Sequence, residues 1–491
     1  MSISPYDSGL ISAATRLGSR AVLNTGLVLG ARVVSRLIAL VMVIRLATSL
    51  GPDGYGRFTS LVAYSALVSI IADLGLSPLY TREAARDPQD QPRYLGTVLG
   101  GKLALSAAAS VVLGVALATS GLGPLIVPGV ALMVITTFAT ALRNTFYALG
   151  RLEFEAISIL CEIAIQASLI IAGARAHAGV SYFVWAYAAA YGFTVCYCLT
   201  VIGVFRLGGL RIRFEWATFR SWLRLALPFA AGTFLTNLYF KADVPILQHL
   251  RPVHEVGWYQ FAYKPFESLQ FVPLAIQSVV YPLLGVYHRR SPDRLDQAYA
   301  RFFKVLVVLG WPLTVGTFLL THPIGRLFRL FPESEPSLRI LSLAIVFLFA
   351  NSAFTAMLYA IDRQDLFAWA TAIAVAVNVG LNLLLIPRFG YLAASATTVV
   401  TEAAFSVAGW YLAGRRHRLR WLRVSWRVLL AGLVMGAALV PLSSLHGTRS
   451  LLLAIPCGAL VYVAALWVLR AVDGQEWLLL RRGLRPGALA D

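Results

Sequence analysis

The sequence predicts an all-α polytopic membrane protein of about fourteen transmembrane helices. The helices are expected as two six-helix lobes related by a pseudo-twofold axis along the membrane normal, with two further helices at the C-terminus. Three observations carry this prediction. Of 491 residues, 58% are hydrophobic and only 13% charged, and the mean hydropathy is +0.72. Soluble chains are about half apolar, so water is not the solvent of this fold. Apolar runs long enough to cross a hydrocarbon core, which takes about 20 residues, recur from Leu23 to Leu469. Finally, sequence blocks near the ends of these runs repeat within the chain.

The elements follow in chain order. Residues 1–21 form a polar tail with Arg16 and Arg20. The run from Val22 to Thr48 is too long for a signal-peptide core and lacks a small-residue cleavage site, so it is a retained span. The N-terminal lobe, 22–205, divides at its polar punctuation into spans near 22–48, 57–80, 97–120, 124–149, 154–173 and 180–204. A linker, 206–221, leads to the C-terminal lobe, 222–413, with spans near 222–248, 258–285, 299–321, 338–360, 366–387 and 389–413. A basic loop, 414–424, precedes two last spans within 425–470, and 471–491 is a tail.

A net charge of +19 would suggest nucleic acid as the partner of a soluble chain. Here the arginines gather in short loops, including 82–93, 206–224, 289–294 and 415–427, on the side that also holds both tails. That side is expected to be cytoplasmic. Cys161, Cys196, Cys198 and Cys457 lie inside apolar runs, which indicates neither a disulfide framework nor a metal site. Gly96-Thr-Val-Leu-Gly-Gly-Lys102 resembles a phosphate-binding loop only superficially, because Leu103 stands where a Ser or Thr would hold magnesium. No cofactor is expected.

Two pairs of blocks support the repeat. Leu50-Gly-Pro-Asp-Gly-Tyr-Gly-Arg-Phe58 aligns with Leu250-Arg-Pro-Val-His-Glu-Val-Gly-Trp-Tyr259 after one insertion, and Tyr147-Ala-Leu-Gly-Arg-Leu-Glu153 aligns with Tyr359-Ala-Ile-Asp-Arg-Gln-Asp365. The members of each pair lie an even number of spans apart, so the halves share one orientation.

The block Arg45-Leu-Ala-Thr-Ser-Leu-Gly-Pro-Asp-Gly-Tyr-Gly-Arg-Phe58, with Ala72-Asp-Leu-Gly-Leu76 and Thr81-Arg-Glu83, resembles the polysaccharide flippase family of the multidrug, oligosaccharidyl-lipid and polysaccharide exporter superfamily. Lys241-Ala-Asp-Val-Pro-Ile-Leu-Gln248, Val256-Gly-Trp-Tyr259, Ala262-Tyr-Lys264 and Val280-Tyr-Pro282 are similar to the family's pattern in the seventh and eighth spans. The resemblance implies a non-enzymatic carrier in the bacterial inner membrane that flips undecaprenyl-pyrophosphate-linked oligosaccharide to the periplasmic leaflet by alternating access. O-antigen, capsule or exopolysaccharide assembly would consume the product. The implied partners are the lipid-linked substrate, membrane lipid, and polysaccharide polymerase and export proteins. A lipid II flippase or a cation-coupled multidrug exporter of the same superfamily is the alternative. A membrane polysaccharide polymerase or ligase would more usually carry a large outer loop.

Ionisable groups inside spans are costly and mark cavities or ion pairs. Arg32 and Arg36 lie mid-span, four residues apart and so on one helix face. With Arg143, Lys241 and Lys264 they are candidates to receive an anionic head group, arginine being suited to phosphate by its planar fork. Asp73, Glu162, Asp243, Glu267 and Glu402 are candidates for ion coupling or charge pairing, and Lys264 with Glu267 could be no more than a helical ion pair. Alanine at Arg32 or Arg36 is expected to abolish transport at normal protein level. About two hundred residues on, Gly232 and Thr236 stand where these arginines would recur. The anion-binding charge is therefore expected mainly in the first lobe.

Secondary features are read more plainly. Pro228, Pro245, Pro265, Pro273 and Pro282 are either hinges or ordinary membrane-helix prolines. Trp258, Tyr259, Phe261 and Tyr263 are either an interfacial belt or a sugar-stacking surface. Gly26-x-x-x-Gly30 and Gly432-x-x-x-Gly436 match a helix-packing pattern.

Overall fold

A computed structural model describes residues 5–205, 207, 214–414, 420–443 and 449–472. The tail 471–491 and the loops 206–221 and 414–424 thus lie wholly or partly outside the described residues. The chain is almost entirely helical, and no strand occurs among the described residues. It packs as two compact units, Met1–Gly257 and Trp258–Asp491.

The first unit contains α1 (Pro5–Asp73), α2 (Leu76–Arg86), α3 (Gln91–Thr119), α4 (Ile126–Ala148), α5 (Leu152–Arg175), α6 (Val180–Val204), α7 (Trp216–Lys241) and α8 (Asp243–Leu250). α9 (Val253–Leu269) begins in it. The second unit continues with α10 (Phe271–Arg290), α11 (Pro292–Leu319), α12 (Thr321–Leu327), α13 (Ser334–Ser342), α14 (Ile345–Ala360), α15 (Gln364–Gly409), α16 (Trp421–Ser443) and α17 (Arg449–Val468).

Ten helices among the described residues are long and apolar enough to cross a membrane, and α13 with α14, bent by 43°, makes an eleventh. Two of the ten, of 48 and 50 residues, are each long enough for two crossings of about 20 residues. Each is broken where the sequence places a connection: α1 at Gly51 (φ 66°, ψ 179°) and α15 at Gly390 (φ 61°, ψ −143°). α7, which carries Arg220, Arg224, Asn237 and Lys241, is not among the ten.

The expected repeat Tyr147–Glu153 and Tyr359–Asp365 has one local geometry in the two units. The helix before each block ends in a left-handed residue, Gly150 (φ 67°) and Asp362 (φ 56°). The next amide closes the turn onto a carbonyl five residues back, Arg151 to Phe146 at 2.9 Å and Arg363 to Leu358 at 2.8 Å. This is a hydrogen-bonded C-terminal cap in both cases. Arg151 then reaches Glu153 at 2.5 Å and Arg363 reaches Asp365 at 2.9 Å.

In the first unit α1 packs against α3 and α5, α4 against α6, and α7 against α1, α2 and α3. Leu79, Tyr80, Leu95, Val98, Leu142, Phe146, Ile202 and Trp222 form a continuous apolar core. The other expected repeat pair meets itself here. A Cβ on Gly56 would lie 2.2 Å from the Val253 carbonyl oxygen, and one on Gly257 would lie 2.1 Å from that of Pro52. Two backbones therefore cross at van der Waals contact through matching glycines. Gly257→Ala is expected to cost about 1–3 kcal/mol as an overpacked contact, read as a lower melting temperature of the purified protein. Unchanged melting would contradict the close crossing.

In the second unit α11 packs on α14 and α16. Gly432 is the contact point, since a Cβ there would lie 2.2 Å from the Trp311 ring, and Trp311 Nε1 donates to the Leu429 carbonyl at 2.9 Å. Gly436 follows against Val315. The Gly432-x-x-x-Gly436 pattern thus packs a helix pair, whereas nothing lies within 4 Å of a Cβ at Gly26 or Gly30. The aromatic group needs a correction. Tyr259, Phe261 and Tyr263 are buried, Tyr259 is hydrogen-bonded to Thr398 at 3.2 Å, and Phe261 stacks edge-on with Phe331. Burial among helices excludes both a membrane-interface belt and an open sugar platform for these rings.

Of the prolines, Pro228 lies inside an unbroken α7, Pro245 inside α8, and Pro265 inside α9. α7 meets α8 at Ala242 (φ −65°, ψ −31°) and α9 meets α10 at Gln270 (φ −58°, ψ −27°), three residues before Pro273, and at both junctions the backbone stays in the right-handed helical region.

Candidate functional site

Four helices of the first unit place their ionisable side chains in one polar seam. α1 supplies Arg32 and Arg36 one turn apart, α4 supplies Arg143, α5 supplies Glu155 and Glu162, and α6 supplies Tyr191 and Thr194. Arg32 bonds Glu155 Oε1 at 2.9 Å, with the arginine side chain 48% exposed and the glutamate 3%. Arg143 is ion-paired with Glu162, and Thr194 donates its hydroxyl to the same carboxylate at 2.7 Å. Arg36 is exposed and forms no ion pair among the described residues. It acts electrostatically on the Tyr191 hydroxyl together with Arg143 and Glu162. The seam thus holds three guanidinium groups and two carboxylates, and Arg36 is the cation in excess.

The remaining candidates occupy other places. Asp73, at the end of α1, is ion-paired with Lys102 of α3, whose side chain is 1% exposed. Lys102 also donates to the Thr137 carbonyl at 3.4 Å, and Ser77 donates to Asp73. Lys241 and Asp243 flank Ala242, where α7 meets α8. Asp243 is buried, and its Oδ1 accepts from the Val244 amide at 3.0 Å. In the second unit Lys264 and Glu267 bond at 2.7 Å one helical turn apart, as the ion-pair alternative expects. Glu402 is buried in α15 and accepts from Asn351 Nδ2 at 2.7 Å. Asn351 Oδ1 in turn accepts from Ser406 at 2.6 Å. One turn away on α15 from each other, Asn378 and Asn382 bond at 3.0 Å.

The sequence reading missed Glu155, Tyr191, Thr194 and Lys102. Glu155 and Lys102 fall inside the spans read near 154–173 and 97–120, so the rule that singled out Asp73 and Glu162 applies to them equally. The effect on Arg32 is direct. Its alanine variant would strand a buried carboxylate, so a normal protein level is no longer expected for it, whereas Arg36 can be truncated without stranding an ion-pair partner among the described residues.

Comparison with known proteins bears on what such a seam serves. The family described as "Polysaccharide biosynthesis protein" matches residues 21–288, more than half of the chain, and the family MatE matches residues 228–384. Among solved structures, a lipid II flippase MurJ in an inward closed conformation is similar with TM-score 0.73 at 13% identity, over 89% of this chain and 96% of that one. An inward-facing multidrug resistance MATE transporter is similar with TM-score 0.61 at 15% identity, over 78% and 94%. A transporter from Pyrococcus furiosus, described as having a binding pocket of reverse polarity, gives 0.55 at 15% identity, over 81% and 95%. At these identities the likeness shows the fold. A search of curated proteins gives no match. The chain is therefore a multi-pass membrane protein of the polysaccharide biosynthesis protein family, within the multidrug, oligosaccharidyl-lipid and polysaccharide exporter superfamily.

Proposed function

We propose that this protein is a flippase for undecaprenyl-pyrophosphate-linked oligosaccharide in the bacterial inner membrane. It delivers repeat units to the periplasmic leaflet for O-antigen, capsule or exopolysaccharide assembly, with both termini in the cytoplasm. The observation that carries this reading is the arginine seam of the first unit. Three guanidinium groups at membrane depth suit an anionic, phosphate-bearing head group, because their planar forks bind phosphate oxygens two at a time. A cationic drug would meet an excess of positive charge there. The second unit, taken by itself, holds an apolar cavity of about 740 Å³ lined by Leu313, Ile324, Phe328, Met435, Leu439 and Tyr462 among others.

The carrier acts by alternating access, with Arg36 as the first contact of the pyrophosphate and Arg32 and Arg143 closing on it. Lys241 and Lys264 remain candidates for an anionic group, Lys264 holding Glu267 as its ion-pair partner just as Arg32 and Arg143 hold theirs. Asp73 and Glu162 already carry protein cations, so taking up a coupling proton or sodium ion would cost each its partner. The membrane potential is a drive that needs no such exchange: outward movement of an anion from a negative interior is favoured by about 2.3 kcal/mol per charge per 100 mV. Glu267 is in the same position, paired with Lys264, whereas Asp243 and Glu402 retain the alternative role of cation coupling. In vesicles, transport is expected to fall several-fold when potassium and valinomycin clamp the potential to zero, with ion gradients left intact. Full transport at zero potential, abolished by removing sodium or the proton gradient, would contradict potential drive.

Deleting the gene and analysing the accumulated lipids by mass spectrometry tests the substrate. The expected result is an undecaprenyl-pyrophosphate oligosaccharide held on the cytoplasmic face. Accumulation of lipid II, or of no lipid intermediate, would contradict it.

A further inference from the structure

Glu155 and Glu162 are seven residues apart on α5, two turns along the same helix face, and each holds one arginine of the seam. Three buried polar atoms around them lack a hydrogen-bond partner among the described residues: Glu155 Oε2, the Ser158 hydroxyl and Arg143 Nε. Ser158 lies between the two glutamates on that face. Buried polar groups are usually satisfied by protein, water or ligand, so an acceptor and two donors left over on neighbouring side chains are groups that a bound molecule can engage. On these grounds, and on the reading of the chain as a carrier of a pyrophosphate-linked lipid, we infer that Glu155 and Glu162 are resident counter-ions that the head group displaces. They make the seam selective for a doubly charged pyrophosphate over singly charged phospholipid.

The physical basis is exchange. Three uncompensated guanidinium groups at membrane depth would bind any anion, and anionic phospholipid surrounds the protein in large excess. With both carboxylates in place only one positive charge is uncompensated. A phosphodiester with one charge that displaced Glu155 from Arg32 would add no attraction beyond the carboxylate it replaced. It would also leave that carboxylate, 3% exposed, without its cation, which a buried charge does not tolerate. A pyrophosphate diester strands the same carboxylate, but its second charge and further acceptor oxygens offset that cost by engaging Arg36 and Arg32 together and by receiving the idle Arg143 Nε–H and Ser158 O–H donors. Glu155 and Glu162 are thus positioning residues that set a charge threshold.

The test uses purified full-length protein in lipid nanodiscs, with farnesyl pyrophosphate as the probe and tryptophan fluorescence as the readout. Discs are made of phosphatidylethanolamine alone or with added phosphatidylglycerol. Wild-type protein is expected to bind the probe with a similar Kd in both. Glu155→Gln/Glu162→Gln is expected to bind more tightly than wild type in the zwitterionic discs and to lose about tenfold in affinity when phosphatidylglycerol is present. Glu155→Gln alone, which leaves the Arg143, Glu162 and Thr194 contacts intact, shifts the ratio in the same direction and serves if the double variant does not fold. Glu155→Asp restores wild-type selectivity. A purely structural role for the glutamates would change melting temperature but not the ratio of the two Kd values. Folded variants that keep the wild-type ratio overturn the inference alone. Wild-type protein that binds no farnesyl pyrophosphate in either disc overturns the carrier reading and the inference with it.

Discussion

Replacing Arg36 with alanine is expected to abolish export of the lipid-linked sugar while leaving the amount of folded protein unchanged. Its side chain is exposed and forms no ion pair among the described residues, so truncation leaves no carboxylate behind. What it removes is the excess positive charge of the seam. A bidentate guanidinium–phosphate contact is two charge-assisted hydrogen bonds, each about 1.5–3 kcal/mol. At 1.4 kcal/mol per tenfold, the expected loss in substrate affinity is about a hundredfold or more. Arg36→Lys keeps the charge but not the fork and should recover only part of it. Arg32→Ala differs in kind, because it strands Glu155. Breaking a fully buried pair from one side costs about 3–5 kcal/mol; with Arg32 48% exposed and only Glu155 buried the cost here is smaller, but protein level should still drop along with transport. Cellular polymer export and membrane-fraction immunoblots, measured together, separate the two variants.

The second large effect is expected at Asp73. Replacing it with leucine leaves the Lys102 ammonium, 1% exposed, with a single carbonyl contact at 3.4 Å. An uncompensated buried charge costs about 3–5 kcal/mol, a large part of the 5–15 kcal/mol that holds typical domains folded. Asp73→Leu should therefore yield little monodisperse protein by size-exclusion chromatography. Adding Lys102→Met replaces the pair with apolar groups of similar size and is expected to restore both yield and melting temperature. Transport by the rescued double variant then assigns the pair. Activity close to wild type identifies a structural ion pair, and well-folded but inactive protein would assign Asp73 to coupling.

How much of this was legible in the sequence depended on whether the determining contact was local. The break at Gly51 and the Lys264–Glu267 pair arise within a few residues, and motif or spacing pointed to each; the caps at Gly150 and Asp362 are equally local and fall in the two blocks read as a repeat. Arg32–Glu155 joins residues 123 apart and Lys102–Asp73 joins residues 29 apart. Such pairs depend on which spans are neighbours and how each is rotated. Helices that are apolar on nearly every face carry little periodic signal for either. The aromatic block at 258–263 was misread for the same reason: in a membrane protein an apolar ring fits a lipid interface and a helix–helix core equally well, and only the packing against Phe331 and Thr398 tells them apart. Polar residues were the better guide, since burial in hydrocarbon forces each to have a purpose. Applied without exception, that rule would also have found Lys102 and Glu155.

The central claim is tested most directly by reconstituting the purified protein in liposomes that carry an undecaprenyl-pyrophosphate-linked sugar in one leaflet and following its appearance in the other with a membrane-impermeant lectin. The wild-type protein is expected to speed that appearance well above protein-free liposomes, and Arg36→Ala is expected to return it to the protein-free rate. Equal rates with and without the wild-type protein, or full transport by Arg36→Ala, would contradict the account.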